Sequence, residues 1–159
     1  MKSPIKTPDL ISETFPKKQE SLGYLLAQTA FLKQRITNMA LVDLDITYMQ
    51  FVILAATKEL AKTHSIVNQQ LISKERRIDK VMVSNVVKTL IAKKLIIREK
   101  HPVDKRAYSL RLSPEGEKKG EKGKEIAYKV DTVFFSCIDA HQLESTLKCL
   151  LQVNGSNHN

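Results

Sequence analysis

Two groups of residues in this 159-residue chain have types and spacings that suit nucleic-acid chemistry. The first is Lys80, Val81, Met82, Ser84, Asn85 and Lys88. On a helix these share one face, opposite Val83, Val86, Val87 and Leu90, which recur at i, i+3, i+4 and i+7 and so form an inward stripe. Lysines and a serine suit phosphate oxygens, Asn85 can pair bidentately with adenine, and Val81 or Met82 can touch a thymine methyl. The second is Asp104-Lys105-Arg106 in a short polar loop. An Asp two residues before an Arg can brace the guanidinium so that it enters a narrow minor groove already oriented. Arg98, Lys100, Lys105 and Arg111 are expected to add phosphate contacts. The plain alternatives are a solvated polar face and a surface ion pair, the latter worth little.

Charge favours the first view. The net charge is +9. Between Lys74 and Arg111 stand twelve Lys or Arg against four Asp or Glu, so +8 falls in one quarter of the chain. The remaining 121 residues hold fourteen basic and thirteen acidic groups. Such concentration is the footprint of a polyanion-binding surface.

The elements around these residues must hold them in place. A turn at Arg77–Asp79 joins a short helix, capped by Asn68, to the helix Lys80–Lys93, capped by Asp79. Leu95–Lys100 and Tyr108–Leu112 read as strands around the His101–Ala107 tip, making a hairpin wing. Two helices with a tight turn and a following hairpin form a winged helix-turn-helix over residues 46–116. Upstream, Thr47 and Gln50 form a capping box for a helix reaching about Lys62, after a Leu41–Asp45 connector. Ser21–Ala40 is a helix with an apolar seam at Leu22, Leu25, Thr29, Leu32, Ile36 and Met39. Ser113-Pro114-Glu115 starts another helix. The glycine-rich run that follows, EGEKKGEKGKE, reads as a solvated connector without chemistry. Beyond it, Ile126, Val130, Val133, Phe134, Cys137 and Ile138 form one stripe, and Leu143, Leu147, Leu150 and Leu151 another. Residues 21–45 and 117–154 thus form a helical arm, and residues 1–20, with three prolines, an irregular extension. The fold class is mainly α with a small β component.

Other classes of function find little support. No nucleophile–base pair, phosphate loop or metal cluster is visible, so neither an enzyme nor a cofactor is expected. Cys137 and Cys149, among apolar residues, read as small core hydrophobes. Tyr24, Phe31, Tyr48 and Phe51 either line a pocket between arm and winged helix or are core. No apolar run spans a bilayer and the N-terminus lacks a signal-peptide core, so a cytoplasmic protein is expected. The competing view is a basic architectural protein that coats nucleic acid without a preferred site.

Three stretches carry a resemblance. They are Asp45-Ile46-Thr47-Tyr48-Met49-Gln50-Phe51, Leu95-Ile96-Ile97-Arg98, and Asp104-Lys105-Arg106 followed by Leu110-Arg111-Leu112-Ser113-Pro114-Glu115-Gly116. With their order of elements, over about Ser21 to Val153, they resemble the MarR family of bacterial transcriptional regulators. The resemblance implies a homodimer whose terminal helices interlace. Each subunit would present its winged helix to half of a palindromic site on double-stranded DNA, most often as a repressor. Release would follow binding of a small anionic or phenolic ligand, or cysteine oxidation. The peroxide-sensing branch carries its cysteine near the start of the first long helix, where this chain has none. Lys94 stands where the family usually has glycine, and Asn85 where it often has arginine.

Overall fold

The computed structural model describes residues 21–100 and 108–155. The chain divides into two units, Met1–Arg35 and Ile36–Asn159. The described part of the first unit belongs to helix α1 (Leu22–Ala40). Its N–H at Tyr24 is received by the Ser21 hydroxyl, as expected of a cap. Every residue from 21 to 32 is exposed, including Leu22, Tyr24, Leu25, Leu26, Phe31 and Leu32.

The second unit carries the core. After the end of α1 comes a short 3-10 turn, Val42–Leu44, and Asp45 in the left-handed region at φ 51°. Asp tolerates that conformation better than most residues. Helix α2 (Tyr48–Leu60) opens with the Thr47–Gln50 capping box. The Gln50 N–H meets the Thr47 hydroxyl at 3.2 Å, and Gln50 Oε1 receives the Thr47 N–H at 3.0 Å. Helices α3 (Gln69–Arg76) and α4 (Lys80–Ala92) follow, capped by Asn68 and Asp79. Strands β1 (Ile96–Lys100) and β2 (Tyr108–Leu112) pair antiparallel, with Ile96 opposite Leu112 and Lys100 opposite Tyr108. Val67 extends the pairing, since its carbonyl receives the Leu110 N–H at 2.7 Å. Buried Ile53, Leu54, Ile72, Val83, Val87, Leu90, Leu95, Ile96, Leu110 and Leu112 form one continuous core under these elements. The mainly helical fold with a two-stranded wing is therefore as the residue pattern implies.

Two expectations are corrected. The EGEKKGEKGKE run is not a solvated connector. It is the first half of one continuous helix, α5 (Pro114–Phe134), and its glycines are packing positions. A Cβ on Gly116 would lie 2.0 Å from the Leu95 carbonyl oxygen, and one on Gly123 would lie 2.8 Å from the Phe51 ring. Gly120 faces Leu54 at an ordinary 3.8 Å. At Gly116 and Gly123 the cost of glycine in a helix is accepted because no Cβ fits between α5 and the backbone and ring beneath it. The same Leu95 carbonyl accepts the Ser113 N–H at 3.0 Å, so the start of α5 is pinned to the start of β1.

The second correction concerns Cys137 and Cys149, both of which are exposed rather than core. They belong to the least buried part of the second unit. Helix α6 (Ala140–Gly155), capped by Asp139, holds no buried residue among those described. Leu150, Leu151 and Val153 lie in solvent, as do Tyr128 and Val133 on α5.

Candidate nucleic-acid interface

The turn between α3 and α4 is made by three residues. Arg77 ends α3 in the left-handed region at φ 51°, which reverses the chain. The Ser73 hydroxyl donates to the Ile78 carbonyl at 2.7 Å, and the Ile78 N–H returns to the Ser73 carbonyl at 3.1 Å. Asp79 then accepts the N–H groups of Val81 and Met82 at 2.9 and 3.0 Å. A carboxylate at that end also complements the helix dipole.

Helix α4 is split lengthwise. Val83, Val87 and Leu90 are fully buried, each worth about 1.5–3 kcal/mol relative to exposure. Across the axis, Lys80, Asn85 and Lys88 are exposed, while Ser84 is half-buried. Val81 and Met82 are 67% and 46% exposed. Two adjacent apolar side chains held in water by a well-anchored helix gain nothing for the fold. The structure thus brings together the α4 residues singled out from sequence, with Ser84 the least accessible.

The C-terminal end of the helix is locked against the rest of the unit. The buried Gln50 amide donates to the Thr89 hydroxyl at 3.1 Å, tying α2 to α4. Lys93 Nζ reaches the Asp45 carboxylate at 3.0 Å and holds that carboxyl below its usual range. At the exit, the Leu95 N–H bonds to the Leu90 carbonyl and the Lys94 N–H to that of Ile91, both at 2.9 Å. This is a Schellman ending, and Lys94 occupies its left-handed position at φ 58° in place of the usual glycine. An L-residue there costs about 1–2 kcal/mol.

On the wing, the Arg98 guanidinium lies 4.0 Å above the centre of the Tyr108 ring, a cation–π contact. Lys100 is exposed. Arg111 is engaged by Glu99, Nη2 to Oε1 at 2.6 Å and Nε to Oε1 at 3.0 Å. The pair lowers the Glu99 carboxyl and raises the guanidinium. Arg111 is thus engaged within the wing while its side chain stays 55% exposed. Asp104, Lys105 and Arg106 lie outside the described residues. Of the other basic groups in the charged segment, Arg76 pairs with Glu59 at 2.5 Å and Arg77 donates to the Leu151 carbonyl at 3.2 Å. Lys80, Lys88 and Lys100 form no ion pair among the described residues.

The aromatic quartet is divided. Tyr48 and Phe51 are half-buried on the core with ring centres 6.5 Å apart. Tyr24 and Phe31 are exposed residues of α1. Sequence reasoning missed three links: Gln50 to Thr89, Arg98 to Tyr108, and Lys93 to Asp45. Only the second left a signal, because in the hairpin register Arg98 and Tyr108 are diagonal neighbours.

Residues 44–107 match the profile described as MarR family. The chain is 35% identical over 122 residues to the uncharacterized HTH-type transcriptional regulator YdcH of Bacillus subtilis strain 168, covering 77% of this chain and 83% of YdcH. The chain belongs to the MarR family. As a MarR-family protein it is a DNA-binding transcriptional regulator and not an enzyme. Solved MarR-like structures share its fold. The MepR–DNA complex of S. aureus superposes with a TM-score of 0.74 at 23% identity, covering 87% of this chain and 99% of MepR. BpsR of Bordetella bronchiseptica, whose DNA binding is regulated by 6-hydroxynicotinic acid, gives 0.70 at 23%, covering 85% and 99%. No described helix is long and apolar enough to cross a membrane.

Proposed function

We propose that this MarR-family chain works as a cytoplasmic homodimeric repressor of a palindromic operator, released by a small anionic or phenolic ligand. The observation that carries the dimer is the distribution of exposed apolar residues. Leu22, Tyr24, Leu26 and Phe31 on α1, Tyr128 and Val133 on α5, and Leu151 and Val153 on α6 are each more than half exposed in the single chain. Exposed apolar residues on this scale mark an interaction surface. A second copy applied by a two-fold axis would cover them symmetrically.

In that arrangement each α4 enters a major groove, with half-sites about one helical turn, ~34–36 Å, apart. Lys80, Lys88, Arg98 and Lys100 take phosphates. Asn85 reads an adenine edge, and Val81 with Met82 meets thymine methyls. Tyr108 holds the Arg98 guanidinium over its ring, which reduces the freedom lost on binding. Asp104 braces Arg106 for the minor groove. The ligand has precedent in BpsR, whose effector is a hydroxylated aromatic acid.

The test is a footprint on the DNA flanking the gene, combined with sedimentation. Protection of one short inverted repeat by a species of twice the chain mass is the expected result. Uniform coating of the DNA, or a monomer at the protecting concentration, would overturn it.

A further inference from the structure

The two ends of helix α4 are held by different means. Its C-terminal end is tied to the body by the Gln50–Thr89 and Lys93–Asp45 bonds. Its N-terminal end, with the exposed Lys80, Val81 and Met82, is capped by Asp79 and follows directly on the turn at Arg77–Asp79. That turn reaches another part of the molecule. Arg77 Nη1 donates to the Leu151 carbonyl in α6 at 3.2 Å, a link across 74 positions. Two features set this contact apart from an incidental surface bond. Arg77 stands at the left-handed ending of α3, at φ 51°, where glycine or asparagine is the usual residue. An arginine that accepts this backbone conformation marks a position kept for its side chain. Helix α6, in turn, has no basic residue in its own last turn. The Arg77 guanidinium supplies the cation that the negative end of this helix dipole lacks locally.

We propose that Arg77 is a positioning residue that sets the angle between α4 and the helical arm, and with it the half-site spacing that the protein prefers. The proposal rests on the dimer reading above, in which α6 is covered by the second copy. Arg77 lies two residues before Asp79, whose carboxylate holds the N–H groups of Val81 and Met82. A bond from Arg77 to α6 thus fixes the base-contacting end of α4 relative to the helix that meets the partner. With the bond made, the two α4 helices are presented to DNA at one separation and one angle. Without it, each winged helix gains freedom about the arm. That freedom costs affinity at the matched spacing and relieves the mismatch at others. One added base pair moves a half-site by about 3.4 Å and turns it by about 35°, so a small change of angle is legible in the DNA that is preferred.

The test uses the full chain and the inverted repeat found by footprinting. It adds duplexes with one or two base pairs inserted between the half-sites or removed from between them, and a duplex with a single half-site. Arg77→Asn removes the reach to α6 and suits the left-handed turn, so the melting temperature and the dimer should be retained. Its preference for the matched spacing over the shifted ones is expected to fall about three- to tenfold, the range of one net hydrogen bond. Its affinity for the single half-site and its salt slope should stay those of the wild type. Arg77→Lys, which keeps the charge and donors, should recover part of the preference. An equal loss at every spacing, with a salt slope smaller by about one, would make Arg77 a phosphate contact and overturn the proposal. A spacing preference that survives Arg77→Asn unchanged in a dimer overturns it too. If the wild type itself sediments as a monomer or binds all spacings alike, the dimer reading fails and takes the proposal with it.

Discussion

The winged-helix body and α6 use similar amounts of leucine, isoleucine and valine and treat them in opposite ways. In the body, Ile53, Leu54, Ile72, Val83, Val87 and Leu90 are all fully buried. In α6, Leu143 and Leu147 are only half-buried, and Leu150 and Leu151 are 48% and 59% exposed. The body closes its core with one chain. Helix α6 has the stripe of a buried helix, yet none of that stripe is buried in the single chain among the described residues. Helix α5 shows both behaviours: Gly116 and Gly123 fit against Leu95 and Phe51, while Tyr128 and Val133, further on, lie in solvent.

The sharpest way to break this contrast is Leu150→Lys/Leu151→Lys. If α6 is covered by a second copy, the variant sediments as a monomer and melts as a folded body. Its operator affinity should fall by about two to four orders of magnitude, because the second half-site is no longer tethered. A dimer that survives the change would return α6 to an ordinary solvated helix.

Within the body, the three glycines of α5 should respond in a graded way. Gly116→Ala forces a methyl against a backbone oxygen that cannot move aside, at a cost of about 3 kcal/mol or more. Gly123→Ala meets the Phe51 ring, which can rotate, and should cost less. Gly120→Ala makes a normal contact with Leu54 and gains helix propensity, so it should be neutral or stabilising by up to ~1 kcal/mol. Chemical denaturation of the three variants checks the order. Equal losses at all three would mean that α5 does not sit this closely on α2 and β1.

Arg106→Ala separates the DNA surface from the arm. It should lower operator affinity by ~1–3 kcal/mol and reduce the salt slope, while the dimer sediments unchanged. Unaltered binding in a salt titration would remove the wing tip from the interface.

These regions also differ in how far they could be read from residues alone. The body's elements follow local rules that survive folding: the Thr47–Gln50 box, the Asn68 and Asp79 caps, and the valine spacing in α4 each appear where expected. The exposed α4 face was legible because the four inward positions, Val83, Val86, Val87 and Leu90, leave the others no choice. What could not be read depended on neighbours distant in sequence. The glycines of α5 look like helix breakers until Leu95 and Phe51 are placed beneath them. Cys137 and Cys149 have apolar neighbours in sequence and are nonetheless exposed. Gln50 is a capping residue by pattern, and its second bond, to Thr89, spans 39 positions.

Lys94 offers a smaller test of the same contrast, since its left-handed conformation is imposed by the body around it. Lys94→Gly should raise stability by about 1 kcal/mol without changing the oligomer, because glycine reaches that conformation without the Cβ penalty. Lower stability would show that the Lys94 side chain makes a contribution larger than the strain.

The smallest effect is expected from pH. Lysine or arginine partners lower five carboxyls: Asp45 by Lys93, Glu59 by Arg76, Glu99 by Arg111, Glu121 by Lys58 and Glu144 by Lys148. A carboxyl lowered in the folded state contributes stability above its unfolded value, near 4, and loses it as the pH falls through the folded value. The five contributions should therefore be constant from neutral pH down to about 5 and disappear only in the acid range below the usual carboxylate pKa. All five pairs lie at the surface, where solvent and salt screen them, so their combined loss should be slight beside that of Gly116→Ala. Melting curves across the acid range at low and high salt check this. The low-salt curve should drop a little further than the high-salt one. A large drop already at pH 6 would mean that groups other than these five, packed in the body, govern its acid stability.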